Sequence, residues 1–244
     1  MKKFLEKNGL DKLTGISVSQ IVTSCSNSNF HNDFLDFVHR FPDHLERTCQ
    51  TGHLTGSALV VREKDQKILL LFHTKLQKWL QPGGHADGDP NLARVALREA
   101  EEETGIDNLK IYQIPIDLDI HIVRPPGEKE HKHFDVRYLI LAPEDSEPVG
   151  NHESQDLRWF TKDEINSMGL DHGLRRMIET GFELMEANNR NCRPKIKGYN
   201  IINGQLKLSS GGETFESLNP ALLSDSLGEF PLSTKEDVHE ALAC

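Results

Sequence analysis

Residues 84–106 read GHADGDPNLARVALREAEEETGI and hold the side chains best suited to chemistry. An α-helix turns about 100° per residue, so offsets of three and four place Glu102 and Glu103 on either side of Glu99. On the same wheel Leu92, Val95 and Ala96 fall on that side, and Arg94, Arg98 and Glu101 fall opposite. The face that meets the protein body therefore turns acidic in its last two turns. A run of glutamates is ordinarily a solvated surface, and this placement argues against that. Like charges at these spacings repel by a few tenths of a kcal/mol per pair, and near the C-terminal end the helix dipole disfavours them too. A hard divalent cation such as Mg²⁺ or Mn²⁺, which takes carboxylate, carbonyl and water oxygens, reverses both penalties.

Such carboxylates need a frame, and the flanking pattern supplies one. Strand-like runs at 54–62 and 67–73 are joined by a polar turn and followed by Pro82-Gly83-Gly84. The acidic helix then starts with Asp89 as its expected cap and Pro90 in its first position. Beyond it, 109–114, 116–123, 134–141 and 157–160 read as strands, 124–132 as a polar connection, and 162–168 and 172–187 as helices. Residues 1–50 read mostly helical, with Phe30, Phe34, Phe37, Val38 and Phe41 as a packing stripe after Ser28-Asn29. The order predicts an α+β protein in which helices cover both faces of a mixed sheet. After Ala187 the composition shifts toward Asn, Ser, Gly and Pro. A hairpin is expected at 198–209 around Asn203-Gly204, a linker at 210–218, and a last helix at 233–242 capped by Ser233 and Glu236. The expected division is a helical N-terminal segment (1–50), a central domain (51–190) and a C-terminal extension (191–244) that serves as docking module, dimer arm or loose appendage.

The acidic stretch resembles the Nudix hydrolase signature, G-x5-E-x7-R-E-U-x-E-E-x-G-U with U a bulky aliphatic. Gly84, Arg98, Glu99, Glu102, Glu103, Gly105 and Ile106 stand in register; Pro90 replaces the first Glu, and Ala100 is small where a bulky aliphatic is usual. The likeness extends from about His53 to about Ala187, and GHLTGSALVV and KWLQPGGHADGD look like a group of bacterial Nudix proteins. The resemblance implies a Nudix-like α/β/α sandwich and hydrolysis of a pyrophosphate bond in a nucleoside diphosphate linked to another group. It implies Mg²⁺ or Mn²⁺ held by Glu99, Glu102, Glu103 and the carbonyl of Gly84, with Arg98 orienting a neighbouring carboxylate. Family members differ in their general base; Glu153 occupies a position like the later-loop carboxylate, and Asp156 is the alternative. Pro90, Ala100 and the extension leave a second reading open, a Nudix-like sensor or adaptor that binds a nucleotide without cutting it. Substrate markers of known subfamilies are absent, since Pro115 and Tyr112 come too early.

His131, His133, Asp135 and Arg137 alternate, so on a strand they share a face. With His121 they are candidates to meet phosphate or ribose; a half-exposed polar strand face and a separate zinc site are the other readings. Lys78 is a further candidate for substrate, and Trp79 either stacks on a base or packs in the core. A formal net charge of −10 argues against a sequence-independent nucleic-acid binder or a membrane-surface protein, while a metal can still screen an acidic pocket from a small nucleotide. No apolar run approaches a membrane-spanning length, so a soluble cytoplasmic protein, with a homodimer open, is the expectation. Cys25, Cys49, Cys192 and Cys244 form no CxxC pair and read as reduced thiols.

Overall fold

The computed structural model describes residues 4–7, 9–10, 15–25, 28–124, 127, 129–150, 154–191, 196–203, 205–219 and 222–243. Glu153, Gly204, Cys192 and Cys244, on which sequence readings fell, lie outside them. The chain forms two compact units, Met1–Phe182 and Glu183–Cys244. The boundary falls inside a helix, ahead of the expected division at 190/191.

The first unit contains β1 (Phe4–Leu5), α1 (Val18–Ser24), α2 (His31–Arg40), β2 (Gly52–Arg62), β3 (Lys67–His73), β4 (Lys78–Leu80), β5 (Gly83–His85) and α3 (Leu92–Thr104). There follow β6 (Lys110–Tyr112), β7 (Asp117–Val123), β8 (His131–Ala142), β9 (Ser154–Phe160), α4 (Lys162–Ser167) and the first part of α5 (His172–Asn191). Its sheet runs β1-β6-β8-β2-β3-β4, with β5 and β7 pairing β2 and β8 and β9 pairing β3. β2 and β8 are parallel, from Gly52 beside Lys132 to Arg62 beside Ala142, and the other pairings of this sheet are antiparallel.

Every residue of β2 is buried, as a strand covered on both faces must be. Its even-numbered side chains face α3, where Gly56 comes so close that a Cβ would sit 2.7 Å from the Leu92 carbonyl oxygen. Its odd-numbered ones face α5, where Gly181 lies against Leu59. The phenylalanine stripe behaves as read: Phe34 meets the Phe134 ring edge-on at 5.3 Å, and Phe37 stacks on it at 3.8 Å.

The termini of the elements differ from expectation in instructive ways. Asn91, not Asp89, caps α3, its side chain accepting from the Arg94 N–H at 3.1 Å. Asp89 is drawn instead to the Arg94 guanidinium at 2.6 and 2.7 Å, so Pro90 precedes the cap. Gly105 ends the helix in the left-handed conformation, φ 65°. The glycine turn is itself a strand, β5, and β8 begins at His131, three residues earlier than its apolar run suggests.

The second unit holds the rest of α5, β10 (Ile196–Lys197), β11 (Asn200–Ile202), β12 (Gln205–Lys207), β13 (Thr214–Asn219), β14 (Leu222–Pro231) and α6 (Lys235–Leu242). The hairpin forms, with Ile202 opposite Gln205. The expected linker is instead largely β13, paired with β14, and the last helix is capped one residue later than read, by Thr234 with Asp237.

Candidate active site

Three-residue strand β5 runs beside the acidic end of α3. Gly83 donates its N–H to Glu103 Oε2 at 2.9 Å, and that glutamate is 6% exposed. Gly84 faces the Glu99 carboxylate so closely that a Cβ there would lie 2.3 Å from Cδ and 2.6 Å from either oxygen. Arg98 Nη2 donates to Glu99 Oε1 at 2.7 Å and to the His85 carbonyl at 3.4 Å, tying strand and helix together. Glu102 is the exposed member of the set. Ala100 is fully buried in the core.

His85 turns to the opposite face of the sheet from Glu99, and that face is polar throughout this region. At its centre Asp135 Oδ1 accepts from Thr55 and Ser57 at 2.8 Å each, while Oδ2 accepts from Arg137 Nε at 2.7 Å. Arg137 also donates to Asp117, Asp119 and the Gly173 carbonyl. Arg176 of α5 reaches the same two aspartates at 2.8 to 3.0 Å. Burial pushes the Asp119 carboxyl up, but the His121 hydrogen bond and the Arg137 charge outweigh it and hold the group well below its usual range. Arg137 was expected to meet substrate; with 3% of its side chain exposed and its donors committed internally, it braces the sheet face instead.

At one end of this face five imidazoles gather. His53 lies beside His133 in the β2–β8 register, and His121 lies beside His133 in the β7–β8 register. Ring centroids stand 4.8 Å apart for His53 with His85 and with His131, 4.9 Å for His53 with His133, and 5.4 Å for His121 with His133. Burial and the neighbouring imidazole charges lower His53 to about 4 and His133 to about 2, so both are neutral near pH 7. A neutral ring brings no charge to a phosphate, which weakens the reading of His133 as an anion contact. His53 and His85 were not singled out in the sequence. The available signal was the pair of Gly-His dipeptides, 52–53 and 84–85, but strand register had to bring them together.

Lys78 is exposed on β4, opposite His73. Its neighbour Trp79 packs edge-on against Phe72 and Phe160 at 5.3 and 4.8 Å, the core role. Asp156 is part of β9 rather than of a loop, and pairs with Arg158 at 3.0 Å.

The layered fold and the acidic helix beside a glycine strand define a Nudix-type α+β sandwich. The model of the NUDIX domain matches residues 52–180, just over half of the chain, and the protein belongs to the Nudix family. It is 33% identical over 96 residues to a probable DHNTP pyrophosphohydrolase of Lactococcus lactis subsp. cremoris (strain MG1363), covering 37% of this chain and 55% of that one. It is 28% identical over 131 residues to an RNA pyrophosphohydrolase of Pelagibacter ubique (strain HTCC1062), covering 49% of this chain and 83% of the relative. The chain thus spans about half the length of the first of these relatives. A solved Nudix hydrolase from Clostridium perfringens is 23% identical, with 56% of this chain and 97% of that one covered at a TM-score of 0.42. Among the described residues no helix is long and apolar enough to cross a membrane.

Proposed function

We propose that the protein hydrolyses a pyrophosphate bond in a nucleoside diphosphate-linked substrate with Mg²⁺ or Mn²⁺ as cofactor. The observation that carries this is the approach of Gly84 to Glu99, where the absence of a side chain opens a cradle lined by carboxylate oxygen. The donor set fits a hard divalent ion: Glu99, Glu102 and Glu103 offer oxygens from one helix face, and Gly84 adds its carbonyl. When bound, such an ion neutralises diphosphate oxygens and makes water a better nucleophile near neutral pH.

The side chains around it have distinct tasks. Arg98 holds Glu99 from the side, so the carboxylate keeps one orientation. The Gly83 N–H fixes Glu103 in the same way. The proton of the attacking water, released as the anhydride P–O bond breaks, is assigned to Glu153 as general base on the family resemblance. Lys78, exposed just ahead of the glycine strand, meets phosphate charge on the departing group.

The test is a panel of nucleoside diphosphate derivatives, with DHNTP and RNA added because two relatives carry those names. Phosphate or nucleotide release is followed with Mg²⁺ or Mn²⁺, beside Glu102→Gln and Glu103→Gln. Turnover on at least one substrate is expected, with each variant slowed by at least about 100-fold. No turnover on the whole panel, or unaltered rates in both variants, overturns the reading.

A further inference from the structure

We propose that His53, His131 and His133 form a second metal site, for a transition ion of the zinc class, on the sheet face opposite the carboxylate helix. One ring nitrogen from each lies within 4.8 Å of the others. The three come from adjacent parallel strands, so backbone hydrogen bonding fixes their separation before any ion arrives.

The hydrogen bonding of these rings sets them apart from ordinary core histidines. His53 is 2% exposed, and neither of its ring nitrogens meets a hydrogen-bond partner among the described residues; Nε2 of His133 is likewise buried and unpartnered. Buried polar atoms are nearly always satisfied, and exceptions call for an explanation such as an ion. His131 is already set as a ligand. Its Nδ1 lies 2.8 Å from the Lys129 carbonyl, which can only accept, so Nδ1 carries the proton and Nε2 presents a lone pair. That arrangement is the usual outer support of a metal-bound imidazole.

Imidazole nitrogen suits zinc, copper, iron and nickel, whereas Mg²⁺ prefers oxygen, so the two sites select different ions. A tetrahedral ion with bonds of about 2.0–2.1 Å needs ligand atoms roughly 3.4 Å apart, so the three nitrogens, now within 4.8 Å of one another, draw closer by up to about 1.4 Å when it binds. Three imidazoles leave a fourth position for water or a substrate oxygen. His85 and His121 border the cluster, each within 5.4 Å of His133 between ring centroids.

The experiment uses the full chain without a polyhistidine tag, stripped by a chelator and titrated with Co²⁺ in excess Mg²⁺, which occupies the oxygen ligands. Intense visible absorption of a tetrahedral cobalt ion is expected, saturating at one equivalent and displaced by Zn²⁺. His131→Gln, at a partly exposed position, and His133→Gln should each weaken binding by at least about 100-fold, beyond what loss of an outer support costs. Glu102→Gln should leave the spectrum unchanged. Thermal unfolding of the unaltered protein gives an independent reading, because an ion bound only by the folded state raises Tm. Absence of the cobalt spectrum, a spectrum that persists in both histidine variants, or a Tm indifferent to Zn²⁺ overturns the proposal.

Discussion

Gly84→Ala is the smallest change that separates the chemistry of this protein from its stability. A Cβ at position 84 would lie 2.3 Å from the Glu99 carboxyl carbon. Ordinary carbon–carbon contact is near 3.5 Å, so that carboxyl must retreat by about 1.2 Å. The atom that yields is the far end of a flexible side chain, and Gly84 does not need a left-handed backbone, so the fold should absorb the methyl group with a loss under about 1 kcal/mol. Catalysis should not absorb it. A displacement of about 1 Å in a catalytic constellation costs on the order of 100-fold in rate, or about 2.7 kcal/mol of barrier. Gly56→Ala is the matched contrast: its Cβ would meet the Leu92 carbonyl at 2.7 Å and the Ala96 nitrogen at 3.1 Å, backbone atoms inside a helix that cannot step aside. The measurement pairs kcat/KM on the best substrate with urea unfolding for each variant. Expected are low activity at near-normal stability for Gly84→Ala and a large stability loss for Gly56→Ala. Full activity in Gly84→Ala would show that the position of Glu99 does not matter to the reaction, and the account of the cradle would fail.

Arg137→Met should cost about 3–5 kcal/mol in urea unfolding, because it leaves the buried Asp135 carboxylate without its cation and Asp117 and Asp119 with Arg176 alone; a loss below about 1 kcal/mol would mean that Arg176 and the Thr55 and Ser57 hydroxyls suffice to hold the face. Asp119 is held low in the folded state, so the unfolded chain takes up the proton first as pH falls. Its contribution is complete above the ordinary carboxylate value near pH 4 and is lost as pH drops through the lower folded value. The stability gap between the protein and Asp119→Asn should accordingly be constant above about pH 5 and shrink below about pH 4, and a gap that stays constant down to about pH 2 contradicts this. Thr234→Ala removes the cap whose oxygen receives the Asp237 N–H at 3.3 Å. Amide exchange at the start of α6 should quicken about fivefold, corresponding to about 1 kcal/mol, and unchanged exchange would assign the helix end to other bonds.

Much of the sheet was readable because its strands carry their own apolar or alternating patterns: β3 matches its sequence range residue for residue, and β2 differs only at its first two positions. The acidic helix was readable because its periodicity and the spacing of Glu99, Glu102 and Glu103 are local. What escaped was whatever depends on partners distant in the chain. Asp89 looked like a cap because its type and place suit one, yet a guanidinium five residues on holds it more strongly than the helix N-terminus does. β5 looked like a turn because two glycines say turn, and only pairing with β2 makes it a strand. Arg137 looked available because alternation assigns a face without saying what covers it; α5 covers it, bringing Arg176 and the Gly173 carbonyl. The histidine cluster was half visible, in the alternation of His131 with His133. Its other half, His53 and His85, enters through β2 and β5, and a parallel pairing across some 80 residues leaves no local pattern to read.

Strand β5 links the two faces physically. Along its three residues the Gly83 N–H holds Glu103, Gly84 makes room for Glu99, and His85 points the other way toward His53 and His133. Arg98 grips the His85 carbonyl and the Glu99 carboxylate with the same nitrogen. A strand so short has little freedom to move one residue without its neighbours, since the peptide planes between them are rigid and pairing to Thr55, Gly56 and Ser57 fixes the register. An ion held by His53, His131 and His133 on one face ties β2 to β8, and through the pairing of β2 with β5 it stiffens the backbone that positions the carboxylates on the other. The consequence can be measured without assigning the imidazole ion a chemical step. Zn²⁺ at one equivalent should slow amide exchange across β5 in the Glu102→Gln protein, where hydrolysis is compromised, and His131→Gln should abolish that protection. Protection confined to β2 and β8 would show that the two faces are mechanically separate.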